Sequence, residues 1–144
     1  MSEMLLTHRG VVYPWQCDHM GHLNVMHYAA KFDEATWQMF AAIGLTPTYL
    51  RDNRLVIAAV RQETAYRREL LPGDVLTIHT AILEMRPLRI RFYHEMLNDE
   101  TGEVAAATVI TGVLLDAKTR KPTHFPLAVE RCGKDLVAKV TLLV

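Results

Sequence analysis

The chain has only two cysteines in 144 residues, Cys17 and Cys132. One pair is no disulfide framework, so the core must hold the fold, and a reducing cytoplasm is the expected setting. Net charge is also missing, since sixteen Lys and Arg balance sixteen Asp and Glu. A neutral chain gives no electrostatic reason to expect nucleic acid or an anionic membrane as partner. No apolar run approaches the ~20 residues of a membrane span. Met1 to Leu6 lacks the basic start and apolar stretch of a signal peptide. Repeats and low-complexity segments are absent as well. Half of the residues are hydrophobic. At this length that suits one domain, 1–144, burying roughly two-thirds of its unfolded surface.

What is present is a run of elements in a definite order. His8 to Trp15 is rich in β-formers and reads as a first strand with Pro14 near its end. Asn24 is a candidate N-cap for a helix from Met26 to Ile43. Its apolar residues, Tyr28, Phe32, Ala35, Met39 and Phe40 among them, recur mostly at threes and fours, and Gly44 ends it. Residues 46–54 read as a polar connection. Four strands are then predicted: Leu55 to Leu70, Val75 to Met85, Arg89 to Met96 and Val104 to Asp116, with turns at Pro72-Gly73-Asp74 and 98–102. Pro122 and Pro126 punctuate a last segment with a short helical turn and an apolar end, Leu136 to Val144. One strand, one long helix and four or five antiparallel strands make an α+β arrangement. The helix is too apolar for the surface, so a curved sheet is expected to wrap it.

The chemistry concentrates between Asp18 and Tyr28, where Asp18, His19, His22, Asn24 and His27 crowd around Gly21. A carboxylate before a glycine turn and a helix N-terminus is useful equipment. The helix offers free backbone N–H groups and a positive dipole end, and the carboxylate can act beside them as base or nucleophile. That combination suits the cleavage of an ester or thioester. Asp18 as a plain turn residue is the blander alternative. The histidines with Asp18 are loosely spaced for zinc, but no further His or Cys pair completes a set, so no metal is expected. Cys17 has no neighbour that would activate it. His22 and Asn24 either brace the turn or polarise a bound carbonyl.

The turn Asp18-x-x-Gly21-His22-Leu23-Asn24 with Tyr28, the run Phe32-Asp33-Glu34-Ala35 and the Leu70-x-Pro72-Gly73-Asp74 turn resemble the hotdog-fold acyl-CoA thioesterases. The likeness is closest to the 4-hydroxybenzoyl-CoA thioesterase-like family and covers roughly residues 7 to 117. It implies a curved antiparallel sheet of five or six strands around one long central helix. It also implies that Asp18 attacks the thioester carbonyl or orients water, that Gly21 permits the tight turn, and that the backbone N–H near Val25 receives the oxyanion. Glu34 matches a position that is catalytic in some branches and stands second to Asp18. The resemblance implies an acyl-CoA substrate, no metal or prosthetic group, and a homodimer or homotetramer with its sites at a subunit interface.

Around that centre, Trp15, Tyr28 and Trp37 are candidates for an acyl pocket, with core packing the alternative for Trp37. Joined with Asp33 or Glu34 they would form an aromatic box suited to a quaternary ammonium. Arg89 and Arg91, with Arg67 and Arg68, are candidates for gripping the phosphates of coenzyme A. Two other functions compete. One is a hotdog hydratase or dehydratase using His22 or His27 with Glu34. The other is a non-catalytic binder of acyl-CoA or an acyl carrier, which would have no need of Asp18.

Overall fold

A computed structural model describes residues 4–144; the reading of Met1, Ser2 and Glu3 as the start of a non-secretory N-terminus lies outside the described residues. The elements are β1 (Leu5–Val11), a single 3₁₀ turn (Pro14–Gln16), α1 (Val25–Ala42), α2 (Pro47–Asp52), β2 (Leu55–Tyr66), β3 (Val75–Met85), β4 (Ile90–Asn98), β5 (Val104–Asp116) and α3 (Leu127–Asp135). The five strands form one sheet in the order β1-β3-β4-β5-β2, with every pairing antiparallel. This is the α+β hotdog architecture, a curved sheet against one long helix. No helix among the described residues is long and apolar enough to cross a membrane.

The helix lies where its stripe requires. Tyr28, Lys31, Phe32, Ala35, Met39 and Phe40 are its buried positions, a spacing of threes and fours that keeps one face on the sheet. Phe32 meets Leu76, Ile78, Met96 and Ala106 in one half of the core. Met39 and Phe40 meet Ile82, Ile90, Phe92 and Leu114 in the other. Each such side chain contributes about 1.5–3 kcal/mol when removed from water.

Several boundaries differ from the sequence expectation, each for a local reason. The first strand runs from Leu5 to Val11 and not to Trp15, because Pro14 opens the 3₁₀ turn. The connection at 46–54 holds a short helix. Thr46 accepts from the Tyr49 N–H at 3.1 Å, and Pro47 occupies the first turn, where its missing N–H costs nothing. The strand expected to reach Leu70 leaves the sheet at Tyr66. Beyond it the Arg67 and Arg68 N–H groups share the Ala105 carbonyl, at 2.8 and 3.0 Å.

A buried polar chain joins helix to sheet. His94, fully buried on β4, lies parallel to the Phe32 ring at 5.8 Å. Its Nε2 is 2.8 Å from Thr36 Oγ1, and its Nδ1 is 2.6 Å from Thr80 Oγ1. Thr36 already donates to the Phe32 carbonyl, so His94 Nε2 must carry the proton given to Thr36. Nδ1 then accepts from Thr80, whose Oγ1 lies 2.8 Å from Thr7 Oγ1, itself 3.2 Å from the Ile78 carbonyl.

Burial pushes His94 down to about 3 from its ordinary 6.5. Below pH 6.5 the unfolded chain takes up a proton that the folded chain refuses. Stability is therefore whole above pH 6.5 and falls as pH drops toward 3, by at most about 1.4 kcal/mol per pH unit. Urea midpoints measured between pH 7 and 5 are expected to fall for the native protein and to fall less steeply for His94→Gln. The difference between the two slopes isolates His94 from the partly buried His8, which burial also holds down. Parallel slopes would remove His94 from the account.

Candidate active site

Between the 3₁₀ turn and α1 the chain makes one compact loop, held at several points by its backbone. Asn24 N–H donates to the Gln16 carbonyl at 3.0 Å, and Asp18 N–H donates to the His22 carbonyl at 3.2 Å. Leu23, fully buried, donates to the Leu70 carbonyl at 2.8 Å. The segment that leaves β2 early thus clamps this loop from outside. Gly21 has φ +86° with open space around it, so the turn uses glycine for its left-handed backbone and not for want of room.

The Asn24 side chain works at both ends. Its Oδ1 accepts from the Met26 N–H at 3.0 Å and caps α1, while its Nδ2 donates to Asp18 Oδ2 at 2.9 Å. Asp18 Oδ1 accepts from the Met20 N–H, also at 2.9 Å. The Asn24 amide first, and the Met20 N–H after it, hold the Asp18 carboxyl below its ordinary range. At neutral pH Asp18 is an anion fixed in one orientation, with its carboxylate bound to the residue that starts the helix. The Val25 N–H beside it meets no acceptor among the described residues. An oriented carboxylate next to an open, dipole-backed donor is suited to attack on a carbonyl and to stabilising the resulting oxyanion.

Asp18, Gly21, His22, Asn24 and Val25 therefore come together. His22, 3.6 Å from Glu69, lines a groove of about 200 Å³ with Val25, Tyr28, Tyr66, Arg67 and Arg68. Tyr28 is buried, its ring edge-on to Tyr66 at 5.3 Å. Burial raises its hydroxyl to about 12, so it stays protonated.

Other expected site residues lie apart from this group. Glu34 faces β1, with Oε2 3.3 Å from His8 Nδ1, and it lines a hollow with Leu6, Thr7 and Arg9. It is not brought to the Asp18 turn, because its place on α1 points it to the sheet edge opposite β2. The three-aromatic box does not form within one chain either. Trp15 is 71 % exposed and touches the His27 ring edge-on at 5.4 Å. Trp37 lies further along α1, on the wall of a separate cavity that it shares with Asp33. Arg89 bonds Glu84 Oε1 at 2.8 Å, and Glu84 also pairs with Arg86. Arg89 and Arg91 share a hollow of about 490 Å³ with Arg61 and Val109.

Sequence reasoning missed Gln16, Tyr66 and Glu69. Buried Gln16 returns its Oε1 to the Tyr13 N–H at 3.0 Å and gives its carbonyl to Asn24. Nothing in its neighbourhood distinguishes it. The Leu70-x-Pro72-Gly73-Asp74 turn did mark the end of the clamping segment.

Residues 12–138 match the family model described as the thioesterase-like superfamily. Among curated proteins, the L-carnitine dehydrogenase/betainyl-CoA thioesterase of Agrobacterium fabrum is 28 % identical over 124 residues. That match covers 85 % of this chain, but the chain spans about a quarter (25 %) of the relative's length. Among solved structures, a Staphylococcus aureus protein in complex with CoA superposes with a TM-score of 0.89 at 20 % identity, covering 98 % of this chain and 90 % of the other. A 1,4-dihydroxy-2-naphthoyl-CoA thioesterase from Synechocystis gives 0.80 at 17 % identity, covering 91 % and 96 %. At such identities these structures establish the shared fold.

Asn24→Ala removes the cap and the brace on Asp18 together. It is expected to lower unfolding stability by about 1 kcal/mol, the usual cost of losing an N-cap. It should also let Asp18 titrate at higher pH than in the native protein, read by NMR of its carboxyl carbon. An unmoved Asp18 titration would show that the Asn24 amide does not govern the carboxylate.

Proposed function

From the premise that this chain belongs to the thioesterase-like superfamily and is a thioester hydrolase, we propose that it hydrolyses acyl-CoA, R–CO–S–CoA plus water giving the acid and free coenzyme A. The observation that carries the reading is the bond from Asn24 Nδ2 to Asp18 Oδ2, which fixes the carboxylate beside the unpartnered Val25 N–H. In this reading Asp18 attacks the carbonyl carbon or takes a proton from the water that does. Charge developing on the carbonyl oxygen is received at Val25 N–H, a donor worth on the order of 3 kcal/mol of barrier. His22 sits on the same groove, and Tyr28, protonated and buried, forms its wall. Metal and prosthetic group have no step in this scheme.

Arg67 and Arg68 open the groove toward solvent, so the pantetheine arm and phosphates of coenzyme A approach from that side. Arg89 and Arg91 on the outer face of the sheet are a second basic surface within reach of the nucleotide. The Agrobacterium relative is named for betainyl, a small quaternary-ammonium acyl group, and betainyl-CoA is the first substrate we propose for this chain.

The reading includes a homodimer. β2 pairs with β5 on one side only, leaving an edge twelve residues long with Val60 60 % exposed. An edge of that length is a template for pairing with another strand, and a second copy of β2 supplies one.

The test is thiol release from a panel of short, branched, aromatic, long-chain and betainyl CoA esters, with native protein and Asp18→Asn. The native protein should turn over one class. Asp18→Asn should keep fold and assembly while losing ~10²-fold or more in kcat, the scale of a lost acid–base group. Equal turnover by the variant would take Asp18 out of the mechanism. A folded dimer silent on every ester would point instead to an acyl binder.

A further inference from the structure

A cavity of about 330 Å³ lies between α1 and the β4-β5-β2 side of the sheet, at the lower end of small-ligand pockets. Its wall is mostly apolar and aromatic, with Trp37, Phe40, Phe92 and Ile110, while Thr36 and Gln62 add uncharged polar groups. Asp33 is the one charged side chain on it among the described residues. The Trp37 and Phe40 rings are 6.0 Å apart and tilted 55° to each other, so they form a concave corner. Asp33 stands one helical turn before Trp37, on the same face of α1. No lysine or arginine lines the cavity, and no salt bridge engages Asp33 among the described residues. An anion beside the partly exposed indole of Trp37, with no cation to balance it, is the arrangement that attracts a compact organic cation. Gly112 at the base keeps the floor low: a Cβ there would stand 3.4 Å from Ile90 Cγ2 and 3.9 Å from Phe92 Cε1.

Within one chain this cavity is too distant from the reacting carbonyl. Asp33 follows Val25 by eight residues, about 12 Å along the helix axis, whereas the charge in a betainyl group lies two bonds from the carbonyl carbon. Two-fold symmetry removes the gap. Tyr66, at one end of β2, touches Tyr28 near the helix start, while Ile57, near the other end, lines the cavity. Antiparallel pairing of β2 with its own copy over its full length sets Tyr66 beside Leu55 of the second copy. The Asp18 and Val25 end of one chain then lies next to the Asp33 and Trp37 cavity of the other.

We propose that this cavity binds the acyl group of the substrate reacting at the other subunit's Asp18, and that Asp33 and Trp37 select acyl groups bearing a quaternary ammonium. The inference rests on the thioesterase reading above and adds to it the residues that choose a quaternary-ammonium acyl group and the subunit they come from.

The test compares betainyl-CoA with 3,3-dimethylbutanoyl-CoA, its neutral isostere, in which a tert-butyl group replaces trimethylammonium. The native enzyme should favour the cation by about tenfold or more in kcat/KM. Asp33→Asn and Trp37→Leu should each collapse that ratio toward one. A native ratio near one, with both esters turned over, overturns the charge selection and leaves thioester hydrolysis standing. Silence on both esters and on the whole panel overturns the underlying reading instead. Placement across the subunits is read by co-expressing Asp18→Asn and Asp33→Asn chains. A mixed dimer then keeps one site with both native residues, and the mixture should recover about a quarter of native betainyl-CoA activity. No recovery beyond the sum of the two variants, from a mixture shown to contain mixed dimers, overturns the cross-subunit site.

Discussion

Everything at the candidate site depends on where the first turn of α1 is held, and that position is set by burial of one helical stripe on the sheet. Phe32, Met39 and Phe40 supply most of the apolar contact, but contact of that kind is non-directional and tolerates sliding. The buried polar chain through Thr7, Thr80, His94 and Thr36 supplies direction. A neutral imidazole in an apolar core must find both of its partners, because a buried nitrogen left unpaired costs about 1–3 kcal/mol. Rotation or translation of the helix by half a turn would break that match. The helix N-terminus is therefore fixed by chemistry two turns and more away from it.

On that fixed helix the loop from Asp18 to Asn24 adds local precision. Its outer support is the stretch after Tyr66, where Leu70 accepts from Leu23. Its inner support is Gln16, which accepts from Asn24. The two supports come from segments far apart in sequence, so the loop is rigid without being part of any regular element. The same departure from β2 that seats the loop also places Arg67 and Arg68 at the mouth of the groove. One irregularity thus serves both the loop that carries Asp18 and, in the proposed reaction, the approach of an anionic substrate.

Much of this was legible from residues alone. The long helix showed in the spacing of Tyr28, Phe32, Ala35 and Met39. The strands Val75–Met85 and Val104–Asp116 have the bounds expected from their runs of β-formers. Asp18, Gly21, Asn24 and Val25 fall within a few residues of one another, so sequence neighbourhood nearly equals spatial neighbourhood, and the turn could be read directly. What was not legible depends on rotation about the helix axis and on strand order. Asp33 and Glu34 are adjacent in sequence, yet one faces the β2 side and the other β1, and only the folded sheet tells which is which. The role of His94 was hidden for a similar reason: its two threonine partners, Thr36 and Thr80, come from different elements that only the fold brings together. Trp15 is largely exposed because it sits on the short turn that Pro14 opens, which sequence alone does not show.

The amide of Asn24 is shared between two jobs, one end closing the helix and the other holding Asp18. A side chain used twice removes a degree of freedom from the evolution of this loop. Serine, threonine or aspartate would serve as a cap, and none of them carries an amide N–H to hand to a neighbouring carboxylate. Aspartate would go further and set a second anion against the first. The start of this helix therefore cannot drift among the usual capping residues without retuning the acid beside it, and thermal adaptation of the fold has to be found at other positions.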